Sequence, residues 1–212
     1  MRYIYSILIF LLMICACNNE ASEIGSLLNG IEAYIEEHPE EALKVLESVN
    51  REELTTRKLK AKHSLLYSMA LDKNYIDVTT DSIIAPAVNY YKYYGTDEER
   101  FKSLYYAGRV YQNAGDIEAA MERFVEAEHH ISNQIDKTII ARLFKAKMVA
   151  YQDIFDYRSA IAQAHIAAEY YLSARDSLRY LSTLNSIAIL YGQLDDKEPD
   201  RKYLDLLSSN RH

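Results

Sequence analysis

Proline and glycine are scarce in this 212-residue chain: three prolines and six glycines leave little room for long loops, and no low-complexity linker interrupts the sequence. Cysteine is scarcer still. Both cysteines, Cys15 and Cys17, lie at the end of an apolar N-terminal run, so a chain trimmed before Cys17 keeps one cysteine and has no internal disulfide. Basic charge is also short. The 24 Lys and Arg against 31 Asp and Glu give a formal charge of -7, which excludes any global attraction for nucleic acid or anionic lipid. Catalytic signatures are missing too: there is no glycine-rich phosphate loop, nucleophile elbow, His-Glu-x-x-His or paired-cysteine ligand spacing. His129 and His130 are neighbours on a helix, so their side chains diverge by about 100 degrees and do not readily share a metal. Glu126 with His130 has the i, i+4 spacing of many surface pairs. The expectation is a non-enzymatic chain with no catalytic residue, cofactor or metal, and no small-molecule substrate is evident.

What the chain does have is a globular balance, 49% hydrophobic and 26% charged, and a period. Tyr111, Tyr151 and Tyr191 recur at a fixed spacing of 40 residues, as do Asp116, Asp156 and Asp196. The clearest unit runs from Phe101 to Ser132. There Leu104, Ala107, Gly108 and Tyr111 return to one face at helical steps, Ala114-Gly115-Asp116 makes a turn, and Ala120, Phe124 and Ala127 share the face of a second helix. A lone helical hairpin cannot bury its apolar face, whereas stacked hairpins bury a continuous core. Small residues at Gly108, Ala120, Ala127, Ala160, Ala167 and Ala188 let helices approach closely, and Leu104, Phe124 and Tyr151 fill the gaps.

This unit resembles the tetratricopeptide repeat, whose helix-turn-helix pattern places Leu-Gly, Tyr, Ala, an aromatic and Ala at matching offsets. The second unit fits at Phe144, Tyr151, Asp156, Tyr157, Ala160 and Ala167 and departs at Lys147, Met148 and Ala164. The third fits at Leu184, Ile187, Ala188, Tyr191 and Leu204, with Asp200 in place of a small apolar residue. Upstream, Tyr67, Ser68 and Leu71 precede Ala107, Gly108 and Tyr111 by 40 residues, and His38 to Val49 looks like a second repeat helix. The resemblance implies an all-α, right-handed superhelical solenoid of about five hairpins over residues 22–212, each longer than the usual repeat of about 34.

Caps and breaks predict helices near 22–37, 39–49, 53–72, 81–94, 97–113, 116–132, 136–153, 156–174, 177–192 and 198–208, with Asp116 and Asp156 as N-caps and Gly95 and Gly115 as stops. Pro86 should kink its helix or delay its start. The connection from Asp72 to Thr80 is the long one, and so the loop best able to build a special contact.

At the N-terminus, Arg2 supplies positive charge, Tyr3 to Ala16 are almost unbroken apolar, and Ile14-Cys15-Ala16-Cys17 follows. This fourteen-residue stretch suits an export signal and falls short of the ~20 residues that span a bilayer. The ending resembles a bacterial lipoprotein signal. It implies a signal peptide over 1–16, lipidation of Cys17, a tether over 17–21, and a membrane-anchored protein of the Gram-negative envelope facing the periplasm or the cell exterior.

In tetratricopeptide proteins the first helix of each hairpin lines a concave groove. Carried over, the resemblance implies peptide binding by Lys102, Tyr105, Arg109, Gln112 and Asn113, by Arg142, Lys145 and Gln152, and by Asn185. Val149, Asp153, Ser182, Ile189, Gly192 and Gln193 occupy equivalent positions, and Lys62, Leu65, Met69, Asp72 and Lys73 do so upstream. An acidic chain thus gathers basic and amide side chains on one stripe, which suits an extended carboxylate-bearing peptide. The carboxylate clamp of some family members is disfavoured, because Tyr106, Ala146 and Ser186 stand where it needs amide and basic groups. Among the 19 tyrosines, Tyr111, Tyr151 and Tyr191 are expected in the core, and some of Tyr90, Tyr91, Tyr93 and Tyr94 must be exposed. Two functional classes follow: a lipid-anchored interaction scaffold whose partner is an envelope protein or peptide, or the sensory repeat portion of a membrane-bound transcription regulator, which would need a longer chain.

Overall fold

The computed structural model describes residues 23–194. The export segment with Cys17, the repeat position Asp196, and the last predicted helix with Asp200 and Leu204 lie outside them. Among the described residues the chain is entirely helical, with no strand. It divides into two compact units that meet in sequence after Thr96.

The first unit holds α1 (23–34), α2 (Pro39–Ser48), a 3-10 turn at Arg51–Glu53, α3 (Arg57–Lys73) and α4 (Ala85–Tyr94). Pro39 begins α2, where its missing N–H costs nothing, and Glu40 and Glu41 follow on the positive end of the dipole. The third predicted helix splits because Thr56 caps α3: its Oγ1 accepts the Leu59 N–H at 3.1 Å. Pro86 delays α4 to Ala85, four residues past the expected start. The long loop is tied down by Asn74 Nδ2, donating to Pro39 O at 2.9 Å, and by Ser64 Oγ, donating to Ile83 O. α2 packs on α3 and α3 on α4; Leu28 and Ile31 of α1, Ile35 just after it, Leu46, Leu66 and Ile84 are all buried. A fully buried side chain of this size stabilises the fold by roughly 1.5–3 kcal/mol.

The second unit holds α5 (Asp97–Asn113), α6 (Ile117–Glu128), α7 (Lys137–Asp153), α8 (Tyr157–Ser173) and α9 (Ser177–Gln193). Asp116, Asp156 and Asp176 cap α6, α8 and α9, each accepting a backbone N–H three residues on at 3.0–3.1 Å. The first two were expected; Asp176 was not. α6 ends at Glu128, short of the expected 132, where Ile131, Ser132 and Asn133 are weak helix formers. Each helix packs on its chain neighbour, and α5 also touches α7.

The 40-residue period survives in the backbone. Tyr75, Gly115 and Phe155 all sit in the left-handed region, with φ of 57, 77 and 61°. Behind each, the next residue donates its N–H to a carbonyl five residues back, as in Ile76 to Leu71 O, Asp116 to Tyr111 O and Asp156 to Tyr151 O, at 2.9–3.0 Å. This is one helix-ending motif used three times. Only Gly115 adopts it without strain. Arg175 repeats it between α8 and α9.

The departures in the second repeat have a packing reason. A Cβ placed on Gly108 would stand 2.4 Å from the ring of Phe124, so the small residue on α5 makes room for the large one on α6. One period later the sizes are exchanged: Met148 on α7 and Ala164 on α8 are buried in a common cluster with Leu184 and Ile187. Lys147, also buried, is held by the Glu128 carboxylate of α6 and lies 5.4 Å from the Phe144 ring centre. Of the expected small slots, Ala120, Ala127, Ala160 and Ala167 are fully buried and Ala188 only half-buried. Tyr111, Tyr151 and Tyr191 are half-buried, with Tyr151 and Tyr191 packed against the edge of the buried cluster, while Phe101, Tyr106, Phe124 and Tyr171 are sealed inside.

Candidate functional site

The side chains of α5, α7 and α9 meet along a seam within the second unit. Arg109 donates to Gln112 Oε1 one turn along α5, and Gln112 Nε2 donates across to Ala146 O of α7 at 3.0 Å. On the far side of α7, Lys145 Nζ reaches Ser182 Oγ of α9 at 3.5 Å. Two helical steps therefore bring the same kinds of position together, because residues three or four apart share one helix face.

Around Lys145 the charge is concentrated. Burial, and then the nearby Arg179 guanidinium, hold its amine below the ordinary lysine range. Asp176 ion-pairs with Arg179; its burial alone would raise its pKa, but the hydrogen bonds from Arg179 and the charges of Arg179 and Arg142 bring it down. The phenol of Tyr171 is pushed up by burial, against the charges of Arg142 and Arg179. Arg142 and Arg179 thus both act on the capping Asp176 carboxylate, and Arg179 also acts on Lys145. A carboxylate brought there would relieve the amine of its like-charge neighbour.

The expected groove residues fare unequally. Tyr105 is corrected: it is 4% exposed and packs on Phe101, Tyr106 and Phe124, because its side of α5 faces α6. Lys102 is half-buried, and Glu98 one turn back in α5 neutralises it. Arg109, Gln112, Asn113, Arg142 and Lys145 are half-buried, and Gln152 and Asn185 are exposed. Upstream, Leu65 and Met69 are buried in the first unit's core, and Lys62 and Lys73 pair with Glu32 and Glu36 at 2.7 and 2.6 Å. Arg179 was missed. It lies three residues before Ser182 on the same face, a spacing that would have found it.

No protein-family model, curated protein or solved structure matches the chain.

Proposed function

We propose that the protein is a non-enzymatic interaction scaffold built as a tetratricopeptide-type superhelix and anchored in the cell envelope by lipid on Cys17, facing the periplasm or the cell exterior. It binds a carboxylate-bearing peptide segment of an envelope partner along the first helices α5, α7 and α9. The observation that carries this reading is the cluster of Arg142, Lys145 and Arg179 beside the Arg109–Gln112 pair, in a chain whose net charge is negative. Exposed ion pairs contribute about 0–1 kcal/mol each, so the binding rests on several acting together and weakens as salt rises.

Reversing Arg109 and Arg142 together to Glu tests this. The double variant should capture much less of the partner from envelope extract than wild type does, at unchanged helicity and nearly unchanged melting temperature. Equal capture by the variant sinks the reading. The anchor is tested apart from it: intact mass should show lipid on the wild-type chain and none on Cys17→Ser, and a lipid-free wild type would remove the anchor.

A further inference from the structure

The first unit carries a cleft of about 550 Å³ between the start of α3 and the length of α4 from Pro86 to Tyr94, a size at which ligand pockets are ordinarily found. It belongs to the first unit, and the seam described above to the second. One wall is basic, from Arg57 and Lys60. The other is α4, which presents Asn89, Tyr90, Tyr93 and Tyr94.

Neither wall is accounted for by stability. Among the described residues no carboxylate pairs with Arg57 or Lys60. Both stand in the first turns of α3, where positive charge opposes the helix dipole. Tyr93 and Tyr94 are each 70% exposed, whereas Tyr91 on the opposite face is 2% exposed and does the packing. These rings lie against one another and against the half-buried Tyr90: Tyr90 and Tyr94 are 5.1 Å apart at 35°, and Tyr93 and Tyr94 are 6.4 Å apart at 60°. Rings inclined in this way make ridges and notches and not the flat platform on which a sugar ring or a base would stack. One face of Tyr93 is moreover taken by Lys92, 5.7 Å from its centre.

Notched aromatic walls suit proline rings of an extended chain, which pays little conformational entropy on docking. The Asn89 amide supplies the donor and acceptor that a peptide group needs. Arg57 and Lys60 select carboxylates. We infer that this cleft is a second binding site, for an acidic, proline-containing peptide segment, on the tyrosine face of α4. The inference does not rest on the reading of α5, α7 and α9.

The probe is a terminally blocked hexapeptide alternating proline and glutamate, titrated into the full chain in mild detergent, with the proline–lysine counterpart and an oligogalacturonate of similar length as comparisons. The glutamate peptide should bind, and the lysine peptide should not. Arg57→Glu with Lys60→Glu, and separately Tyr93→Ala with Tyr94→Ala, should each weaken binding at least tenfold; all four side chains are exposed, so circular dichroism should stay unchanged. Arg109→Glu with Arg142→Glu should leave it intact, which separates this site from the seam in the second unit. Absence of binding by the glutamate peptide, indifference to both pairs of substitutions, or tighter binding of the oligogalacturonate would each overturn the proposal.

Discussion

Gly108→Ala sets two opposed effects against each other, and the structure fixes the sign. In an open helix the change is favourable by about 1 kcal/mol, since glycine loses more backbone freedom on folding than alanine. At Gly108 the added methyl would stand 2.4 Å from Cε1 and 2.5 Å from Cδ1 of Phe124. That ring is completely buried and also packs against Tyr105 of α5, so it has little room to shift. Overpacking costs about 1–3 kcal/mol, and a contact this short belongs at the upper end. The net loss is therefore about 2 kcal/mol, or roughly 4–8 °C in melting temperature. Gly30, exposed in α1 with no heavy atom within 4 Å of the added carbon, is the control; there Ala should stabilise by about 1 kcal/mol. Urea midpoints by circular dichroism measure both. Phe124→Leu shortens the opposing side chain, so the Gly108→Ala/Phe124→Leu double variant should be more stable than the two single losses added together. A Gly108→Ala protein as stable as wild type, or additive behaviour in the double variant, would refute the close approach of α5 and α6.

Ala120→Leu and Ala160→Leu should each cost about 1–3 kcal/mol in the same melts, because both alanines are fully buried between helices; unchanged midpoints would mean the repeat register is wrong. Phe155, 75% exposed with φ of 61°, is a strained occupant of its turn, so Phe155→Gly should gain up to about 1 kcal/mol, while Gly115→Ala at φ 77° should lose a similar amount. His63 has its pKa lowered mainly by burial, against a 3.0 Å hydrogen bond from its neutral ring to Leu46 O that raises it. Its stabilisation is complete above the ordinary imidazole value of about 6.5 and is lost as pH falls through the lower folded value. Between pH ~7 and ~5 the urea midpoint of wild type should therefore fall more than that of His63→Gln; parallel profiles would remove this residue from the acid response.

Helix positions were legible in the sequence because periodicity and caps are local. The stretch 97–113 was read to the residue, and Asp116 and Asp156 cap as their types dictate. What was not legible depends on partners distant in sequence. Met148 and Ala164 read as departures from a pattern until they are found together in one buried cluster, with the sizes of Gly108 and Phe124 reversed. Tyr105 read as a groove residue because its offset says nothing of how α5 is rotated against α6. Lys102 is the exception, since the carboxylate that neutralises it, Glu98, lies only one turn back on the same helix. The cation pair of the first unit was invisible for a different reason: Arg57 and Lys60 meet the tyrosines of α4 only once the long loop has folded the hairpin shut.

Hydrogen exchange of the full chain, alone and with the partner it captures, tests the central claim most directly. If α5, α7 and α9 form the binding seam, added protection should fall on residues 102–113, 142–153 and 179–193. Residues of α6 and α8 should exchange as before. Protection confined to α6 and α8, or none within 97–194, would contradict the account.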